Sequence, residues 1–466
     1  MVNSRLLTGR RIIYTDVDEI TPENVVRVLK KAMETHSVNS GEIQYLYNYW
    51  KGTQPILGRD KEIRPEICNK VVENRANEIV SFKTSYLIGK PVQYVNRSGE
   101  DALSDDLGKF NDYMFLERKS AKDKEIVDWF HICGTAYRLT LPNKNGVEHE
   151  ESPFKLYTPD PRYTFVVYHN GLGHKRMMGG TYVTKDDNTV VYSVYTDTMY
   201  YEIIDDKIVK SEAHIMGEVP IIEYPLNSAR VGAFEVVLPL LDAINNVVSN
   251  RLDGIEQFIQ ALMILKGVDI GSEDFKKLKE LGGLKIPVDG DVDYLVQELS
   301  QNNTQTVVDD LYQSVLTICG MPNRNGGSST SDTGSAVIMR DGWSDAEARA
   351  QSTEDMFKES ESEFLRLAIF ICNTFVETNL RASAVEPRFT RRNYENIQAK
   401  SQVLTTMLSN TKVHPRLAFE YCGMFIDPEL AYTESMAYYE EQQAKAVPVE
   451  GNAEDEEENE TKGGTD

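Results

Sequence analysis

Apolar residues recur along this chain in two rhythms. Up to about residue 134 they fall three or four apart, the spacing that lines one face of a helix. Thr21 and Pro22 supply an N-cap and a first-turn proline for "ENVVRVLKKAMETH". "SGEIQYLYNYWKGT" reads as a second short helix, rich in aromatics and ended by Gly52. A third helix is predicted in "RPEICNKVVENRANEIVSFKTSYLIGKPVQYV", where Ile67, Val71, Val72, Ala76, Ile79 and Val80 keep the helical interval. Gly89-Lys90-Pro91 breaks it and "VQYV" starts an extended run. Another helix covers about 119–134, with "IVDWFHICG" on its apolar side.

From about 135 to 225 the period shortens. "TAYRLTLP", "KLYTPDP", "YTFVVYHNG", "RMMGGTYVT", "NTVVYSVYTDTMYYEIID" and "IIEYP" are short and rich in Val, Tyr and Thr. Asn-Gly, Asp-Asp and Pro turns separate them, which predicts a β-meander or small sheet domain.

The longest pattern follows. Residues 234–266 read as one amphipathic helix, about 45 Å long at the usual rise. Val237, Leu240, Leu241, Ile244, Val248, Leu252, Ile255, Ile259 and Leu262 form its apolar stripe; Asp242, Asn245, Asn246, Ser249, Asn250, Asp253, Glu256 and Gln257 form its polar face. Pro239 sits near the start, where proline costs least. A compact excursion contains a short helix, "SEDFKKLKELGG", and two strand-like runs, "LKIPV" and "VDYLVQEL". "TQTVVDDLYQSVLTICG" returns as a helix, then comes the Gly/Ser/Thr loop "MPNRNGGSSTSDTGSAVIMRDGW". A very long helix runs from about Ser335 to Leu380, interrupted at Gly342, and the remainder is short helices. No internal repeat is visible.

Length and charge narrow the class. A chain of 466 residues accommodates about three domains. The formal net charge is −23, part of it in the tail "EGNAEDEEENETKGGTD", whose composition predicts disorder. The acidic balance argues against gripping duplex DNA by phosphate neutralisation. It leaves open a surface past which DNA slides without sticking. Cys68, Cys133, Cys319, Cys372 and Cys422 lie far apart with no CxxC pair and read as buried reduced thiols. The N-terminus lacks the apolar core of a signal peptide. "FIQALMILKG" is too short to span a membrane. A soluble cytoplasmic product without a membrane partner is expected.

Candidate chemistry is sparse. The loop fails the Walker A pattern, because Ser335-Ala336 follows Gly334 with no Lys. "GLGHKRMMGG" has Arg176 at the third glycine position and reads as a hairpin turn between strands. "DGDVDY" has Tyr294 where a calcium loop has its glycine and Ser300 where it has its bidentate Glu, so a solvated acidic turn is expected. There is no HExxH and no GxSxG. His131 reads as a core or helix-face histidine, and "EPRFTRRNYE" as a surface helix start paired with nearby acids. No catalytic residue, metal site or cofactor is predicted. What stands out is architecture: a helical hairpin with an apolar stripe and no evident local partner, which calls for copies of itself. Closed packing would line a hole with the polar face.

Three long stretches carry a family resemblance: "NKVVENRANEIVSFKTSYLIGKPVQY" at 69–94, "GEVPIIEYPLNSARVGAFEVVLPLLDAINNVVSNRLDGIEQF" at 217–258, and the helix–loop–helix at 303–345. In their order the chain resembles the portal proteins of long-tailed bacteriophages of Gram-positive hosts. The resemblance implies an α+β, predominantly α portal fold. Its parts would be a wing at 1–233, a stem helix at 234–266, a small α/β clip at 267–302 and a stem return helix at 303–320. A tunnel loop at 321–335, a long kinked wing helix at 336–386, a helical crown at 387–447 and a disordered acidic tail at 448–466 would complete it.

It further implies a dodecameric ring at one capsid vertex of the virion, assembled in the host cytoplasm. Such a ring supports head assembly, docks the terminase large subunit, passes double-stranded DNA in packaging and ejection, and meets the major capsid or scaffolding protein and a head-completion or neck protein. Asn323, Arg324, Asn325, Ser328, Ser329, Thr330 and Ser331 would face DNA. Gly326 and Gly327 give that loop backbone freedom, and small hydroxyls offer weak, exchangeable bonds to phosphate. Lys276, Lys277 and Lys279 would face terminase from the clip, or form a solvated helix face. The alternatives are an ATPase or nuclease of the packaging apparatus, or a monomeric scaffold or adaptor.

Overall fold

The apolar stripe that starts at Val25 does not stop at Ser40-Gly41. Val25, Val28, Leu29, Ala32, Ile43, Leu46 and Tyr49 stay on one face, and the two predicted helices are one, α1 (Val25–Trp50). It begins later than Thr21-Pro22 suggests, because Asn24 Oδ1 accepts the Thr21 N–H at 2.9 Å and holds those residues in a turn. The middle of α1 is polar and tied down. His36 Nε2 and Ser40 Oγ both reach the Arg162 carbonyl, at 3.1 and 2.8 Å. Burial pushes the His36 imidazole down to about 4, so it sits there neutral.

These contacts belong to a computed structural model that describes residues 9–97, 103–143, 151–259, 262–266, 291–295, 301–323, 342–376, 378–391, 397–425 and 427–446. The chain divides into two compact units, Met1–Arg392 and Asn393–Asp466. The mixture of helices and sheets is α+β. No helix among the described residues is long and apolar enough to cross a membrane.

In the first unit, β1 (Ile13–Thr15) precedes α1, and α2 (Arg75–Leu87) and β2 (Gln93–Asn96) follow it. Next come α3 (Ser104–Leu116) and α4 (Lys119–Cys133), of which the sequence reading missed α3. The predicted meander is present as β3 (Thr135–Pro142), β4 (Phe154–Tyr157), β5 (Thr164–His169), β6 (Arg176–Thr184), β7 (Val190–Tyr195), β8 (Met199–Ile204) and β10 (Ile221–Pro225). A further strand, β9 (Lys207–Ala213), went unread because it is mostly exposed and lacks an apolar alternation.

Six strands make one sheet in the order β1-β5-β6-β7-β8-β9, with β1 parallel to β5. The "GLGHKRMMGG" stretch turns between β5 and β6, as its hairpin reading predicts. The first half of α1 covers this sheet through Val25, Val28, Leu29 and Ala32 against Phe165, Met178 and Tyr201. A second sheet, β10-β3-β4, is covered by α4 and the long helix α7 (Trp343–Phe375). Phe110, Phe130, Phe154, Phe357 and Phe364 meet in that core, each at most 1% exposed; burying one such ring stabilises the fold by about 1.5–3 kcal/mol. Beyond α7, β13 (Val385–Arg388) pairs antiparallel with β2, where helix was expected.

A charge cluster fixes α7 in this core. Lys119 and Asp123 of α4, Arg138 of β3 and Glu361 of α7 have side chains no more than 4% exposed. Lys119 Nζ lies 2.7 Å from Asp123 and 2.8 Å from Glu361. Arg138 binds Asp123 and reaches Glu361 at 3.0 Å. Tyr94 and Tyr224 donate their hydroxyls to the two Glu361 oxygens at 2.6 and 2.8 Å. Two cations balance two anions and both Glu361 oxygens are fully engaged, which is what a buried carboxylate requires; Arg138 Nε alone in this group is left without a hydrogen-bond partner among the described residues.

The second unit contains α8 (Ile397–Leu408), α9 (Pro415–Tyr421) and α10 (Pro428–Ala446), the short helices expected there.

Candidate functional site

The candidate site is the helix pair between the sheets and α7, with the base of the loop that joins them. A 3-10 turn at Glu235–Val237 leads into α5 (Leu238–Ile259), and α6 (Gln301–Cys319) returns. The predicted single helix over 234–266 is therefore shorter. Its last residues instead form β11 (Leu262–Lys266), antiparallel to β12 (Asp291–Leu295). A short apolar run such as "LMILK" fits either helix or strand, and pairing with β12 decides. The acidic segment read as a turn enters that strand: Asp291 stands opposite Lys266 and Asp293 opposite Ile264.

The expectation that this hairpin lacks a local partner is corrected. Val237 of the 3-10 turn, Leu241 and Ile244 of α5, and Val308, Val315, Leu316 and Cys319 of α6 are buried with Ile43, Leu46 and Tyr49 of α1 and Ala76, Ile79 and Val80 of α2. Toward the far end of the pair Leu252 is 38% exposed and Val307 47%, and at the loop end of α6 Ile318 is 45% exposed.

The polar face is divided too. Asn245, Ser249 and Asp253 are buried, whereas Asn246, Asn250, Glu256 and Gln257 are exposed. The three buried side chains bind the segment that was expected to be the first half of the third helix. Residues 67–74 are not helical; α2 starts only at Arg75. The backbone N–H groups of Asn69, Val71 and Glu73 donate to Asp253 Oδ1 at 2.7 Å, Ser249 Oγ at 3.0 Å and Asn245 Oδ1 at 2.8 Å. Two extended residues advance about 6.7 Å and four helical residues about 6 Å. Alternate N–H groups of a strap therefore match acceptors four apart on a helix. Asp253 also pairs with Arg59 at 3.0 Å and with Lys61. Burial would raise its carboxyl, but Lys61 and the Asn69 N–H groups bring it below the usual range. Asp242 accepts from Tyr49 Oη at 2.9 Å.

The loop leaves α6 through a Schellman turn. Met321 N–H bonds Leu316 O at 2.8 Å and Gly320 N–H bonds Thr317 O at 3.2 Å, the pair of bonds that defines this stop. Gly320 has φ +61°, as the C′ position requires. At the other end Gly342, φ +82°, precedes α7. A Cβ built on Gly342 would lie 3.8 Å from Pro322 Cα, so the two loop ends meet. Phe82 and Tyr86 of α2 pack on Trp343 with ring centroids 6.1 and 6.0 Å away. Tyr86 Oη donates to Glu347 at 2.8 Å.

Of the DNA-facing candidates, Asn323 is described: its Nδ2 donates to Gln313 Oε1 at 2.7 Å. Arg324, Asn325, Ser328, Ser329, Thr330 and Ser331 lie outside the described residues, as do Lys276, Lys277 and Lys279. His131 is a core histidine, 3.4 Å from Thr84 Oγ1 and held neutral by burial and by Lys83. In the basic stretch near 390, Arg391 is paired with Glu347 at 2.8 Å and with Glu354, as the acid pairing expects, but its side chain is only 13% exposed and Val385–Arg388 form strand β13 where a surface helix start was expected. The cysteines are free thiols; burial pushes Cys133 and Cys372 up to about 12 and Cys319 to about 11. Among the described residues no group of three potential metal ligands comes together.

A family model described as "Phage portal protein, SPP1 Gp6-like" matches residues 29–449. The portal protein of Bacillus phage SPP1 is 25% identical over 283 residues, 54% of this chain and 53% of that protein. The chain thus aligns with about half the length of that curated relative. A solved structure, the neck of an empty GTA particle computed with C6 symmetry, covers 75% of this chain and 90% of its own, with TM-score 0.42 and 9% identity.

Proposed function

This chain belongs to the SPP1 Gp6-like phage portal protein family, and from that premise we propose that it forms the ring-shaped DNA conduit and head-to-tail connector at one vertex of a capsid. The observation that carries the reading is the extent of the family match, which runs from within α1 past the end of α10. The matched span thereby includes the helix pair, its distal segment and the loop. The reading is of a structural protein rather than an ATPase or nuclease, and of a ring rather than a lone scaffold.

In this reading residues 1–233 form the wing, α5 and α6 the stem, and 267–302 the clip. Residues 321–335 are the tunnel loop, 336–386 the long wing helix region, 387–447 the crown and 448–466 the acidic tail. A dodecameric ring would bring the loops together around the axis, with Asn323, Arg324, Asn325, Ser328, Ser329, Thr330 and Ser331 nearest the duplex. One Arg per loop makes a sparse positive collar on an acidic wall, so a moving polymer is guided and not held. Asn246, Glu256 and Gln257 are exposed α5 side chains that would face the bore, whereas Asn250 accepts from Arg59 and Asn245, Ser249 and Asp253 hold the strap. Lys276, Lys277 and Lys279 would meet the terminase large subunit. The capsid or scaffolding protein and a head-completion protein would be further partners at the virion vertex.

Deleting 326–332 from the full-length chain and measuring DNA per capsid tests the conduit role. We expect rings of normal size and a several-fold loss of packaged DNA. Normal packaging and retention would refute the contact.

A further inference from the structure

We infer that Arg349 is a positioning residue for the loop, closing it at its base by capping the carboxyl end of α6 from the first turns of α7. The inference rests on the reading of 321–335 as the tunnel loop. A helix end leaves its last carbonyls without intrahelical partners. The Schellman turn satisfies those of Leu316 and Thr317. The next in line, Ile318, accepts from Arg349 Nη1 at 2.8 Å. That donor comes from across the loop, near the start of α7. Its Nε is held by Asp345, one turn earlier on the same helix, at 3.1 Å. The guanidinium is thus aimed by its own helix before it reaches the other.

Gly320 makes the approach possible. A Cβ there would stand 2.2 Å from Arg349 Cδ and 2.3 Å from Nε, so the arginine stem lies directly over the glycine backbone. A cation at the negative end of the α6 dipole is favourable in itself. Lys83 of α2 also lies near this junction, but burial first, and Arg349 in addition, push its ammonium toward the neutral form. Arg349 is the cation that holds the carbonyl.

The consequence is mechanical. A shift of the first turns of α7 against α6 must either break the Arg349–Ile318 bond or carry the end of α6 with it. While the bond holds, both ends of the loop move as one. Further along, α7 is held by the buried charge cluster at Glu361.

The test uses full-length rings carrying Arg349→Ala or Arg349→Lys. A hydrogen bond to a charged group of this kind corresponds to about a ten-fold change in local opening. We therefore expect the Met321 amide to exchange about ten-fold faster in R349A, with α4 and the six-stranded sheet unchanged and rings intact. Packaged DNA per capsid should fall measurably. R349K keeps a cation that can reach Ile318 O and should recover part of both effects. Wild-type exchange and packaging in intact R349A rings would overturn the inference. So would faster exchange spread over the whole first unit, which marks general destabilisation. Should R349A not fold, Asp345→Ala, which removes the acceptor that aims the guanidinium, must show a local exchange change in the same direction at Met321 or the inference fails. If the wild-type chain forms no rings, the conduit reading falls, whereas the Met321 exchange contrast stands or falls separately.

Discussion

Replacing Glu361 by alanine is expected to destabilise the Met1–Arg392 unit by about 3–5 kcal/mol. The carboxylate is fully buried and takes Lys119, Arg138, Tyr94 and Tyr224 at once. Its removal leaves two cations facing Asp123 alone, inside a core of phenylalanines. Breaking one side of a buried pair costs more than the pair ever contributed, because the partner remains desolvated. Glu361→Gln keeps acceptor and shape but loses the charge, and should cost less than alanine. The pH dependence follows from the same geometry. Burial would raise the Glu361 carboxyl, but Lys119 and Arg138 overcome it and hold it down at about 2. A carboxyl depressed on folding contributes stability that is complete above its unfolded value of about 4.3 and is lost as pH falls toward 2. Wild-type protein should therefore lose stability over that window more steeply than E361Q. Denaturant titrations at neutral pH and near pH 3 measure both. A loss under about 1 kcal/mol in E361A would contradict the cluster's role.

Asp253→Ala carries the second large effect, about 3 kcal/mol or more for loss of a buried acceptor of charged groups. Arg59 and Lys61 lose their shared anion, and two donors of Asn69 lose their acceptor. Unlike the Glu361 change, this one should be local. Amide protection at Asn69, Val71 and Glu73 should drop while Phe165 and Val194 in the large sheet keep theirs. Ser249→Ala removes one rung and should expose Val71 most. Since the Asp253 carboxyl lies below its ordinary range, the strap should also loosen as pH falls below about 4. Unchanged protection at all three amides in D253A would show that the strap is held by something else.

The sequence announced some of this and hid the rest for definite reasons. Strands β3 to β8 were legible because Val, Tyr and Thr alternate between strong turn signals. The α6 stripe and the break at Gly342 were legible for similar local reasons. Residues 67–74 were not, although Ile67, Val71 and Val72 keep a helical interval. The acceptors that draw their N–H groups out of a helix lie on α5, far along the chain. For the same reason the polar face of α5 looked like a solvent face. The charge cluster left a fainter signal. Arg138 is the one charge in "TAYRLTLP", and Glu361 falls on the apolar side of α7, in step with Phe357, Phe364 and Leu365. A charge placed against the pattern of its element was the clue.

The most direct test of the conduit reading is the mass and shape of the purified full-length chain, by native mass spectrometry and negative-stain microscopy. The account predicts closed annular particles, dodecameric, with an open axial hole. A monodisperse single subunit at high concentration, with no annuli in the images, would contradict it.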